Sequence, residues 1–261
     1  MLRIENIRKT FNPGTPDAKT AVDGLSLHVL PGDFISIIGA NGAGKSTLFN
    51  AICGSFIVDS GRIFLDGKNV TMEPEHRRAK VIGRLFQDPM RGSAPGMSIE
   101  ENLVLAAGGG GWLSRATRRE KQAFRDRLAL LNMGLEDRMK QPVGLLSGGQ
   151  RQALTLLMAT IKKPKLLLLD EHTAALDPKT AEKVLELTDT IVKRDQLTTL
   201  MITHNMRDAL RFGNRLIMMH EGRVLIDVDG EEKKNLKIAD LLAMFEKASG
   251  DGMASDKLLL G

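Results

Sequence analysis

One stretch constrains the fold of this chain more than any other: an apolar run, a glycine-rich loop and the start of a helix, in that order. Phe34-Ile35-Ser36-Ile37-Ile38 is short and β-rich, Gly39-x4-Gly44-Lys45-Ser46 follows it, and the helix-forming run Ser46 to Cys53 stops at Gly54. A strand, a loop and a helix in this arrangement form a cradle for phosphate. The glycines let main-chain N–H groups curl round a β-phosphate, and the helix N-terminus adds positive potential. Gly39, Asn41, Gly42, Ala43, Gly44, Lys45, Ser46 and Thr47 are therefore the candidate nucleotide contacts. Lys45 supplies a full charge to the β/γ oxygens, and Ser46 is the candidate Mg²⁺ ligand.

Lys165 to Leu169 and Thr198 to Thr203 are also short apolar runs that lead into site motifs, as expected of strands buried on both faces of a parallel sheet. That predicts an α/β core with its ligand at the strand C-termini. Leu2 to Phe11 and Leu25 to Leu30 alternate instead, and Asp66-Gly67 between Arg62–Leu65 and Lys68–Val70 reads as a hairpin turn. An antiparallel β layer thus opens the chain. From Pro89 to about Ile161 the character is helical, notably Ser114 to Leu131 and Ser147 to Ile161, after Gly108-Gly109-Gly110-Gly111. Arg215 to Met219 and Arg223 to Val228 flank a His220-Glu221-Gly222 turn. Ile238, Leu241, Leu242 and Phe245 fall at helical spacing, and residues from Ser249 on read as a loose tail.

Leu166-Leu167-Leu168-Leu169-Asp170-Glu171 ends an apolar strand in two carboxylates, for which packing gives no reason. Asp170 is the candidate for the Mg²⁺ shell and Glu171 for polarising an attacking water. Asp177 before Pro178 reads as a helix N-cap. Leu146-Ser147-Gly148-Gly149-Gln150 precedes a stripe of Leu154, Leu157, Met158 and Ile161. Ser147 is at least an N-cap there, and its hydroxyl, the glycine amides and the helix N-terminus make a second candidate anion site.

Taken together, the order of motifs resembles the nucleotide-binding subunit of ABC transporters. The intervals agree, with 42 residues from Lys45 to Gln87, 102 from Lys45 to Ser147, 23 from Ser147 to Asp170 and 33 from Glu171 to His204. The resemblance implies a P-loop NTPase core with an N-terminal antiparallel β layer and an inserted helical subdomain. As one ABC ATPase domain over 1–261, it would place the β layer and RecA-like core at 1–90 and 162–230, the helical signature subdomain at 91–161, and a C-terminal helix and tail at 231–261. It implies ATP and Mg²⁺ as cofactors. Gln87 would touch Mg²⁺ and the attacking water, His204 would contact the γ-phosphate and Glu171, and Phe11 would stack on adenine, with Val22 on the other edge of the base. It also implies a head-to-tail dimer of two copies, each sandwiching ATP between its own Lys45 loop and the other's Ser147, Gly148, Gly149 and Gln150, with Asp177 in the segment crossing the interface. His172, where many relatives have proline, is read as a loop residue.

The rest of the sequence bounds the setting. Cys53 is the only cysteine, which excludes an internal disulfide and fits a reducing compartment. The formal net charge of +5 does not by itself choose between nucleic acid, an anionic membrane face and solubility. No apolar run approaches the roughly 18 residues of a membrane span, and Met1 to Asn6 shows no apolar leader. The family resemblance then implies a peripheral subunit on the cytoplasmic side of a membrane, docked on separate permease subunits and without nucleic acid. An importer of a small solute such as an amino acid, served by an extracytoplasmic solute-binding protein, is the expected system. A soluble ABC ATPase of iron-sulphur cluster assembly is the alternative.

Overall fold

The computed structural model describes residues 1–108 and 116–249. In chain order the elements begin with β1 (Leu2–Phe11), β2 (Lys19–Val29), β3 (Phe34–Ile38), α1 (Lys45–Cys53), β4 (Ser60–Leu65), β5 (Lys68–Asn69) and α2 (Glu75–Arg78). There follow β6 (Ile82–Leu85), α3 (Ile99–Ala106), α4 (Arg118–Ala129), α5 (Gly148–Thr160), β7 (Leu166–Asp170) and α6 (Pro178–Asp195). The chain then forms β8 (Thr198–Ile202), α7 (Met206–Arg211), β9 (Arg215–His220), β10 (Arg223–Asp229), α8 (Gly230–Asn235) and α9 (Ile238–Ser249). It divides into two compact units: Met1–Ile82 with Gln196–Gly261, and Gly83–Asp195.

The first unit holds two sheets. One has the order β2-β1-β4-β5 and is antiparallel, the layer expected of the alternating N-terminal strands. Its β4–β5 turn is Asp66-Gly67 with φ of 55° and 78°, the left-handed pair that a two-residue hairpin needs. In the other sheet β10, β9, β3 and β8 are successive neighbours, with β3 parallel to both β8 and β9 and β10 antiparallel to β9. Every residue of β3 and of β8 is buried, so these strands read as continuous apolar runs because they are covered on both faces. Ile38, Leu216, Met218 and Ile226 pack there with Leu241 and Phe245 of α9.

In the second unit, Leu166 to Leu169 of β7 are fully buried, each worth roughly 1.5 to 3 kcal/mol of transfer free energy. A separate core joins Ile99 and Leu103 of α3, Phe124 and Leu128 of α4, and Ala153, Leu154 and Leu157 of α5. Three helices start on reciprocal caps: Ser98 with Glu101, Thr117 with Glu120, and Ser147 with Gln150. This unit is larger than the helical stretch 91–161 expected from sequence, because it takes in β7 and α6. The start of α6 packs so closely on α5 that a Cβ on Gly149 would lie 2.1 Å from Thr180 Cγ2. The Gly109–Gly111 part of the expected linker, Trp112 and the tail beyond Ser249 lie outside the described residues.

Candidate nucleotide site

In the first unit, β3 delivers the chain into the glycine loop. A Cβ on Gly39 would lie 2.3 Å from Met219 O, and one on Gly44, which caps α1 at φ 98°, would lie 2.4 Å from Ala21 O. No side chain larger than hydrogen fits at either point, so the loop is wedged between the start of β2 and the end of β9. The Gly222 amide donates to Ala43 O at 3.0 Å and fastens the loop to the β9–β10 turn. Lys45 is buried, and its ammonium donates to Gly39 O at 2.6 Å and Ala40 O at 3.1 Å. The charge is therefore held against the loop by the loop's own carbonyls. Helix α1 carries no side-chain cap and no acid in its first turn, so no acid there offsets its N-terminal field, where Lys45, Ser46 and Thr47 open the helix. Asn41, Gly42 and Ser46 are exposed, Thr47 is half-buried, and Ala43 is buried.

At its far end α1 is tied down by Arg78, which sequence reasoning did not single out. Its guanidinium is 1% exposed and donates to Ala51 O at 2.8 Å, Ile52 O at 3.0 Å, Thr71 O at 2.9 Å and Glu73 O at 2.9 Å. Burial pulls its pKa below the usual arginine value. His204 stands two residues beyond the end of β8. Ile37 pairs with Ile202 in the parallel ladder, so Gly39 and His204, each two residues further on, stand level at the C-terminal edge of the sheet. Asn205 then caps α7 by accepting from the Arg207 and Asp208 amides.

Phe11 ends β1 and is 39% exposed, resting edge-on against Phe56 with centroids 5.6 Å apart. It is not a core residue and offers ring surface to a ligand. Val22 differs from expectation: it is 0% exposed within β2, so its side chain presents no edge to a base. Ala21 and Val22 are buried in succession, ahead of the irregular stretch at Asp23-Gly24 where the alternation of Leu25, Leu27 and Val29 begins.

In the second unit, Asp170 ends β7 and Glu171 follows at φ 47°. A glutamate in the left-handed region costs about 1 to 2 kcal/mol, and such strain gathers at functional sites. Asp170 Oδ2 accepts from Arg84 Nη2 at 3.0 Å, both groups being largely buried. The pair lies 86 residues apart in sequence, and no local pattern announces it. His172 lies in the turn after β7, as read from the sequence, and it is buried there: Nε2 lies 3.2 Å from Thr188 Oγ1. Since the Thr188 hydroxyl donates to Val184 O at 2.7 Å, the imidazole must donate from Nε2. Burial lowers the His172 pKa to about 4, so the ring is neutral.

Ser147 caps α5, accepting from the Gln150 amide at 3.3 Å, while Gln150 Oε1 accepts from the Ser147 amide at 3.2 Å. Gly148 and Gly149 face Leu176 and Thr180, so the structure brings this loop together with the 175–180 segment. The two glycines thus have a packing reason as well as the expected phosphate role. Asp177 Oδ1 accepts from the Thr180 amide at 3.1 Å, the cap foreseen for α6, and hydrogen bonds from the Thr180 side chain and then its amide hold the Asp177 pKa below the usual carboxylate value. Gln87 is exposed just beyond β6, and Asp88 after it caps a short 3₁₀ turn, Pro89–Gly92, by accepting from the Met90 amide at 2.9 Å.

Comparison with known proteins adds an independent line. A family model described as ABC transporter matches residues 22–174. A tyrosine transport ATP-binding protein of Clostridioides difficile is 45% identical over 250 residues, covering 95% of this chain and 100% of that protein. A thiamine import ATP-binding protein of Salmonella choleraesuis is 38% identical over 200 residues, 77% of this chain and 81% of the relative. Among solved structures, a dimeric ATP-binding cassette in a post-hydrolysis state with ADP and Pi superposes with a TM-score of 0.75 at 27% identity, covering 88% of this chain and 98% of that one. A cassette from Clostridium perfringens, part of a cbiONQ transporter complex, gives 0.76 at 25% identity over 94% of both chains.

Proposed function

We propose that this chain, which belongs to the ABC transporter family and is an ATP-binding, ATP-hydrolysing cassette, powers the import of a small amino-acid-like solute as a peripheral subunit docked on membrane permeases. The observation that carries the transport reading is the 45% identity to a tyrosine transport ATP-binding protein across 95% of this chain. Among the described residues, no helix is long and apolar enough to cross a membrane, which fits a docked subunit. Two copies close head to tail over two ATP molecules, and hydrolysis reopens them. Permease helices dock beside the residues that follow Gln87, including exposed Met90 and half-buried Met97, whose flexible side chains suit an adaptable contact. An extracytoplasmic binding protein delivers the solute on the far side.

Magnesium fits the donor set. The Ser46 hydroxyl, the Gln87 amide oxygen and the Asp170 carboxylate are hard oxygen ligands. Among the described residues no group of three or more His, Cys, Asp or Glu could hold a metal. That suits an ion shared with nucleotide phosphates rather than one caged by protein. When bound, it would offset charge on the β- and γ-oxygens. The chain's own residues do the rest. Lys45 binds the β/γ oxygens, Phe11 the base, and Ser147 of the second copy the γ-phosphate. Glu171 takes a proton from the water as its oxygen bonds to phosphorus and the bond to the β-phosphate oxygen breaks, the electron pair leaving with ADP.

Uptake of labelled tyrosine and other amino acids tests the solute class in cells whose native chain is replaced by Glu171→Gln. Loss of uptake for one amino-acid class is expected. Unchanged uptake of every amino acid overturns the solute assignment, and purification with a soluble scaffold instead of a membrane permease overturns transport.

A further inference from the structure

Lys19 is a cation at the phosphate loop that the roles above leave unused. Phe11 and Lys19 are the last Cα partners of the β1–β2 ladder, so one hairpin end carries an exposed ring on one strand and an exposed ammonium on the other. The ammonium reaches the loop: a Cβ built on Gly42 would lie 3.4 Å from Lys19 Nζ, with no other atom within 4 Å. Neighbouring cations are engaged. Lys9 binds Asp59 at 2.8 Å and Ile57 O at 3.0 Å, and Arg8 and Arg223, the latter from β10, share Asp23. Lys19 has no ion-pair or hydrogen-bond partner among the described residues.

The contrast with Lys45 gives this position a use. Lys45 is buried and satisfied by two loop carbonyls, whereas Lys19 stands exposed over Gly42. A flexible lysine gains nothing by holding its charge over bare glycine backbone, but a phosphate oxygen bound at the loop would meet it in a charge-assisted hydrogen bond. We propose that Lys19 is a second lysine for the nucleotide, binding a phosphate oxygen of a nucleoside di- or triphosphate at Gly42 while Phe11 holds the base beside it. The proposal rests on the reading of Gly39 to Thr47 as the phosphate site.

ADP titrations of the full chain by calorimetry at several KCl concentrations test it, comparing the parent with Lys19→Gln, Lys19→Arg and Lys45→Ala. Lys19→Gln should weaken ADP about 5- to 20-fold and flatten the salt dependence, because one cation–phosphate contact is lost at a solvated site. Lys19→Arg should stay within about threefold of the parent, and melting temperatures should not move, since the side chain is exposed and unpartnered. ADP affinity within twofold of the parent in Lys19→Gln, alongside a large loss in Lys45→Ala, overturns the role of Lys19 alone. No loss in either variant overturns the phosphate-site reading and the proposal with it.

Discussion

Replacing Arg78 by methionine should be among the costliest single changes in the first unit, although Arg78 touches no proposed ligand. Its guanidinium is 1% exposed and serves four main-chain carbonyls, of which Ala51 O and Ile52 O close the C-terminal turn of α1. A buried acceptor left without its donor costs about 1 to 3 kcal/mol. The four losses do not add fully. Ala51 O keeps a second donor, the Gly54 amide at 3.2 Å, and removing a buried charge recovers part of its desolvation. We therefore expect a loss of about 3 to 5 kcal/mol, a large part of the roughly 5 to 15 kcal/mol that holds a domain together. Urea unfolding followed by far-ultraviolet circular dichroism reads it. With a slope of about 3 kcal/mol/M, the midpoint should fall by about 1 to 1.7 M. Arg78→Lys should lie between, keeping the charge but not the planar fork that reaches carbonyls on both sides. A midpoint shift under about 0.3 M at unchanged slope would refute the claim that this side chain anchors the phosphate-loop helix.

Two further perturbations follow from the geometry of the first unit. Phe11→Ala should weaken ATP by about 0.5 to 1.5 kcal/mol and GTP by a similar amount, since a ring face reads no hydrogen-bond pattern; unchanged affinity in a folded variant would remove the ring from the base site. Lys233, 3% exposed with its ammonium on Phe212 O and Gly213 O, has its pKa pulled by burial from 10.5 to about 8. The unfolded chain therefore binds more protons between pH 8 and 10.5, and stability from this group rises with pH across that window by about 3 kcal/mol in all. Chemical denaturation of the parent and Lys233→Met at pH 7.5, 9 and 10.5 should show the parent gaining on the variant, and a constant difference would contradict the assignment.

What could be read from the sequence was whatever is local. The two-sided burial of β3, β7 and β8 shows as unbroken apolar runs, each leading into a site motif. The αL glycine at Gly54 and the Asp66-Gly67 pair mark their turns because few other residues adopt those angles. The start of β2 at Lys19 was hidden, since its first residues are exposed and Gly24, in the left-handed region, interrupts the alternation. Helix α3 carried a readable signal in Ser98 and Glu101 but runs only eight residues. Long-range facts left no trace in any window: the Arg84–Asp170 ion pair, the burial of His172 against Thr188, and the close approach of α6 that demands Gly149. Val22 shows the limit of position matching, because an apolar residue near a ligand segment belongs to the core whenever its strand face points inward.

The central claim is that the Lys45 loop of one copy and the Ser147 loop of another close on the same ATP, with Glu171 needed only for its hydrolysis. Sedimentation velocity of Glu171→Gln with and without ATP measures this directly. The account predicts a monomer without nucleotide, a dimer with ATP, and no dimer once Ser147→Arg is added, because the longer cation fills the anion site at the start of α5. The same sedimentation coefficient with and without ATP, or an ATP-dependent dimer that survives Ser147→Arg, would contradict it.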